Sequence, residues 1–159
     1  MNKRILVITA VLCAVSVAVM ILALTVGNQT ESSFSPPPFD SAAQTGVPTV
    51  PQNAGYGEMD AKAFRFSAAG GLTTESGRVD VWLTNPTDNS VWLKARILDK
   101  SGKTLGESGL IRPGEYVQSV KLDIIPKESA EISLKIMAYE PDTYYSAGSA
   151  ILNTVLKVA

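Results

Sequence analysis

Histidine is absent from all 159 residues, and there is one cysteine, Cys13. Without histidine there is no Ser-His-Asp or Cys-His catalysis and none of the common zinc sites. Cys13 lies inside an apolar run, where it reads as a small apolar filler, so the rest of the chain has no thiol nucleophile and no disulfide. Strong charge is lacking too. The net charge is −1 and 18% of residues are charged, so no basic field exists to hold nucleic acid. Gly102-Lys103-Thr104 imitates the end of a phosphate-binding loop, but Ile97 stands where that loop needs its first glycine. Asp80, Asp99, Asp123, Glu131, Glu140 and Asp142 come singly, without calcium-loop spacing. No catalytic residue, metal site or cofactor site is read from this chain.

What is present begins with residues 5–26, which carry no charge. At about 1.5 Å rise per residue this run spans roughly 33 Å as a helix, enough to cross a hydrocarbon core of about 30 Å. Lys3 and Arg4 precede it, and no Lys or Arg follows until Lys62. That bias predicts residues 1–4 as a cytoplasmic stub, a transmembrane helix over 5–26 in contact with membrane lipid, and an extracytoplasmic C-terminus. A cleaved signal peptide is the rival reading. It fits less well, because the apolar region is long and no A-x-A-like site follows it.

Residues 27–57 are rich in Pro, Ser, Thr, Gln, Asn and Gly, with Pro36-Pro37-Pro38, Pro48 and Pro51 among them. Few large apolar side chains remain, so the segment reads as a disordered linker. Residues 58–159 then read as one domain, and a fragment from about Met59 is expected to fold alone.

In that domain the apolar period becomes two, with turn signals every 8–12 residues. Phe64 and Phe66 mark a first strand, and Val79, Val81 and Leu83 a second. Val91, Leu93, Ala95 and Ile97 mark a third. A short fourth follows at 103–107, after the Asp99-Lys100-Ser101-Gly102 turn. Tyr116, Val120 and Leu122 give a fifth, Ile132, Leu134, Ile136 and Ala138 a sixth, and residues 150–158 a seventh. About seven strands with no helix between them predict an all-β, immunoglobulin-like antiparallel sandwich.

Trp82 and Trp92 fall out of phase with the aliphatic residues of their strands. Their parity sets both opposite the aliphatic faces; burial, where the two sheets close or under the linker, is weighed ahead of a shared outer patch that would bind a partner or stack on sugar rings. With Tyr144 and Tyr145, in the loop before the last strand, they are the candidate partner-binding residues.

The stretch Leu83-Thr84-Asn85-Pro86, then Gly109-Leu110-Ile111-Arg112-Pro113-Gly114-Glu115-Tyr116, Leu122 and Ala138-Tyr139-Glu140-Pro141 resembles small membrane-anchored, immunoglobulin-like outer proteins of Gram-positive bacteria. The resemblance implies an extracytoplasmic β-sandwich and brings no catalytic residues. The functional expectation is a non-enzymatic, membrane-anchored interaction module with a protein partner in a cell-surface assembly. A module that binds carbohydrate or cell-wall polysaccharide is the alternative, and it draws on the two tryptophans.

Overall fold

The computed structural model describes residues 34–158 and, before them, Lys3, residues 15–17 and Met20. Most of the apolar run at 5–26, and with it the transmembrane reading, lies outside the described residues. Among the described residues no helix is long and apolar enough to cross a membrane. The chain divides into two units, Met1–Ser35 and Pro36–Ala159.

The second unit is all-β. Ten strands follow in order: β1 (Gln44–Thr45), β2 (Tyr56–Asp60), β3 (Arg65–Ala69), β4 (Leu72–Glu75), β5 (Arg78–Thr84), β6 (Trp92–Asp99), β7 (Thr104–Glu107), β8 (Glu115–Lys121), β9 (Ala130–Tyr139) and β10 (Ser146–Val158). All pairings between them are antiparallel except β10 with β4.

One connected sheet runs β1-β8-β5-β4-β10-β9-β6-β7, with β3 beside β5 and β2 beside β3. It curls into a sandwich. Val79, Val81, Leu83, Val117 and Val120 form one side of the core, and Leu93, Ala95, Ile97, Leu134, Ile136 and Ala138 the other, all 1% exposed or less. The curl nearly closes where Gly106 of β7 bridges to Leu122 just after β8. A Cβ on Gly106 would lie 2.3 Å from the Lys121 carbonyl oxygen, so the two backbones meet only because this residue has no side chain.

The seven alternating segments correspond to β3 and β5–β10. The count differs from seven because β1, β2 and β4 are added, and the first two lie wholly or partly in the segment expected to be a linker. That expectation is corrected for residues 36–57. Asp40 N–H donates to the Leu110 carbonyl and Leu110 N–H to the Pro38 carbonyl, at 2.8 and 2.9 Å. Gln44 and Thr45 pair with Tyr116 and Glu115. Gly70 and Gly71 donate to the carbonyls of Gly55 and Ala54. The segment buries little of its own surface, as its composition says. It is held instead by backbone hydrogen bonds to strands already in place, which composition does not register. A fragment starting at Met59 therefore cuts through β2 and removes three of the five residues that pair with β3 on that side.

Candidate functional site

Trp82 does not face outward. It is 9% exposed and belongs to the core. The register of β5 against β8 shifts between Asp80 and Leu83, and Trp82 has φ 47°. This bulge breaks the two-residue alternation, so Val81, Trp82 and Leu83 all turn inward. The parity argument fails at that residue, and Trp82 leaves the set of surface candidates.

Trp92, at the start of β6, is half-buried. The Phe39 ring meets it edge-on at 4.8 Å between centroids, and Tyr144 meets it at 5.2 Å. The Arg112 guanidinium lies 3.6 Å above the centroid of Phe39. Four residues thus stack in a row, from Arg112 through Phe39 and Trp92 to Tyr144. Cation–π and edge-to-face contacts of this kind each contribute about 0.5–1.5 kcal/mol.

Residues far apart in sequence build this row. Tyr144 comes from a tight loop in which Asp142 and Tyr144 both have positive φ, at 65° and 58°. Tyr144 N–H donates to the Glu140 carbonyl at 3.0 Å, and Glu140 N–H donates to the Tyr145 carbonyl at 2.8 Å. Tyr145 itself is 72% exposed. Phe39 arrives on a strap formed by residues 38–40, whose backbone runs against Gly109 and Leu110. A Cβ on Gly109 would stand 2.4 Å from Asp40 N and 2.8 Å from the Phe39 carbonyl carbon. Gly109 N–H donates to Asp40 Oδ2 at 2.8 Å, and Asp40 Oδ1 accepts from Ala42 N–H at 2.8 Å. Sequence reasoning missed Phe39 and Arg112. Their signals were an aromatic directly after Pro36-Pro37-Pro38 and a glycine, Gly109, beside no predicted turn.

Beneath this end of the sandwich, the buried Asn85 ties loops to strands. Its Nδ2 donates to the carbonyls of Val91 and Ile111 at 2.9 and 3.1 Å, and its Oδ1 accepts from Asn89 at 2.7 Å. On the outer face of β6, the ammonium of Lys94, 8% exposed, donates to Glu107 Oε1 at 2.5 Å, and Arg96 Nε donates to Glu107 Oε2 at 2.8 Å. Burial pushes the Glu107 carboxyl up, and the hydrogen bonds from Lys94 and Arg96 outweigh it, so the group sits below its ordinary 4.5. Asp99 is also held low, by the Ser101 hydroxyl and then the Lys103 N–H. Each arrangement serves a hairpin or a strand pair and favours the ionised form of its own carboxyl. Among the described residues no group of three or more His, Cys, Asp or Glu could hold a metal.

Two other surfaces stand out. An open groove of about 460 Å³ lies between the turn after β6 and the strands β9 and β10, lined by Leu98, Lys100, Glu131, Ser133, Asn153 and Val155 among others. The second is the edge of β10. β9 pairs with residues 146–155, β4 joins on the other side at Leu156–Val158, and just before that Thr154 Oγ1 donates to the Gly70 carbonyl at 2.8 Å. Ile151 and Val155 on this strand are 56% and 47% exposed.

No family model matches the chain, and no curated protein matches it. A solved structure, that of CopC from Methylosinus trichosporium OB3b, is similar over 65% of this chain and 94% of its own, at 16% identity and a TM-score of 0.37. A likeness this distant carries no information on function.

Proposed function

We propose that this chain is a membrane-anchored, extracytoplasmic, non-enzymatic interaction module of immunoglobulin-like type that binds a protein partner, as a component or accessory of a bacterial cell-surface assembly. Exposed apolar Ile151 and Val155 on the outer face of β10, with exposed Tyr145 in the loop before it, carry this reading, since apolar surface left in solvent marks a site for a protein partner. The membrane placement rests on the apolar run at 5–26 and on Lys3 and Arg4 before it. The domain begins at Pro36, so about nine residues connect it to that run, and they reach at most roughly 30 Å when extended.

The carbohydrate-binding alternative is less favoured. It draws on two tryptophans side by side in solvent, but Trp82 is in the core and Trp92 is flanked by Phe39 and Tyr144. The test compares the wild-type chain with Ile151→Lys and Tyr145→Ala, each used to capture protein from its own membranes and to bind purified wall polysaccharide. Protein capture lost in Ile151→Lys supports the proposal. Polysaccharide binding lost in Tyr145→Ala and retained in Ile151→Lys overturns it in favour of the alternative.

A further inference from the structure

Strand pairing sets four residues in one row across the outer face of the sheet: Glu107 on β7, Arg96 on β6, Lys135 on β9 and Ile151 on β10. Ala95, Ile97, Leu134 and Ile136 beside them are buried, so alternation turns Arg96 and Lys135 outward. Directly opposed residues have Cβ atoms about 4.5–5.5 Å apart, and like charges so placed destabilise a sheet. Glu107 already serves two cations, Lys94 at 2.5 Å and Arg96 at 2.8 Å. Among the described residues Lys135 forms no ion pair. Glu131 on the same strand is four residues away, roughly 13 Å, and holds Lys100 at 3.0 Å. The row, with Lys94, therefore sets three cations against one carboxylate, in a chain whose net charge is −1.

We infer that this face binds an acidic segment of a protein partner, with a carboxylate seated between Arg96 and Lys135 and an apolar side chain beside it on Ile151. The inference rests on the reading of the chain as a protein-binding module and names the chemistry of the partner. A carboxylate at that place supplies the counter-charge that Lys135 lacks and relieves its opposition to Arg96. Arg96 meets Glu107 through Nε, and a guanidinium has five donors, so one carboxylate does not saturate it. The next row, Leu98, Ser133 and Asn153, lines the groove of about 460 Å³, which gives the rest of the segment room to lie. Ile151, Asn153 and Val155, the exposed residues of β10 along this stretch, are aliphatic or amide. They offer no ring for a sugar to stack on, so the face fits peptide side chains better than an acidic polysaccharide.

The test titrates full-length protein with three probes: a random glutamate–leucine copolymer, its glutamine–leucine counterpart and polygalacturonate. The glutamate–leucine copolymer should bind about tenfold or more tightly than the glutamine–leucine one. Lys135→Glu should abolish that preference and Lys135→Arg should keep it. Lys135→Glu should melt no lower than wild type, because it turns an opposed like-charge pair into an attractive one, so lost binding is not lost folding. No preference in the wild-type protein, or a preference that Lys135→Glu leaves intact, overturns the inference. Polygalacturonate bound more tightly than the glutamate–leucine copolymer, and released by Lys135→Glu, would make the occupant an acidic polysaccharide and overturn it as well. If Ile151→Lys lost capture of a membrane protein while Lys135→Glu kept it, the acidic segment would be wrong and the interaction-module reading would stand.

Discussion

Gly109→Ala is the sharpest probe of how the strap at residues 38–40 joins the sandwich. The new Cβ would fall 2.4 to 2.8 Å from backbone atoms of Asp40 and Phe39, and no side-chain rotation relieves a clash with backbone. The strap has to leave. With it go the hydrogen bonds Gly109 N–H to Asp40 Oδ2, Leu110 N–H to the Pro38 carbonyl and Asp40 N–H to the Leu110 carbonyl, at 2.8, 2.9 and 2.8 Å. At about 1 kcal/mol each these sum to roughly 3 kcal/mol. Loss of the two Phe39 contacts, with Trp92 and Arg112, adds about 1–3 kcal/mol. The total, about 4–6 kcal/mol by the same principles, is a ceiling, because the strap can undock while the strands stay folded. For a domain of this size that lowers the melting temperature by on the order of 10 °C. Tryptophan emission reads the same event locally. In a Trp82→Phe background the remaining Trp92 should shift to longer wavelength when Phe39 departs. In a chain that lacks residues 1–46 the Gly109→Ala substitution should cost almost nothing, because the atoms it strikes are gone. A full-length Gly109→Ala protein with unchanged melting and unchanged emission would refute the docking of the strap.

Asn85→Ala takes the side-chain donor from the Val91 carbonyl and leaves the Ile111 carbonyl with Leu93 N–H alone, and a loss of about 1–3 kcal/mol should appear in urea unfolding. Protease treatment should cut before Pro36 and spare residues 36–57; a stable fragment whose N-terminus maps inside 40–57 would show the strap to be undocked. The pH dependence of stability should carry a contribution from Glu107. Its carboxyl is depressed in the folded state, so the unfolded chain takes up the proton first. The stabilisation is complete above about pH 4.5 and is lost as the pH falls through the lower folded value, so Glu107→Gln should reduce the acid limb of a pH–stability curve. An identical limb in wild type and variant would exclude that role. Glu107→Gln should also destabilise at neutral pH, since it leaves the Lys94 ammonium buried without a counter-charge; the cost should fall below the roughly 3–5 kcal/mol of a fully enclosed pair, because Glu107 is 35% exposed.

Much of the sandwich can be read from the chain because a strand with one buried face writes its period into the sequence. Val91, Leu93, Ala95 and Ile97 alternate with Trp92, Lys94 and Arg96, and all four are buried. Turn chemistry is equally local: Asp99 accepts from Ser101 and Lys103 within five residues of itself. The absence of histidine, and of cysteine after Cys13, likewise needs no structure to exclude whole classes of catalysis. Tertiary structure decided the rest. The bulge that turns Trp82 inward is set by the pairing of β5 with β8, a relation between segments more than thirty residues apart. The strap, with Phe39 on Trp92, depends on Gly109 seventy residues later. β10 has a strand partner beside only its last three residues on the β4 side, because β2 takes the place beside β3. Periodicity reports which face of a strand is buried and is silent on which strand lies beside it, because backbone hydrogen bonds pair any residue with almost any other.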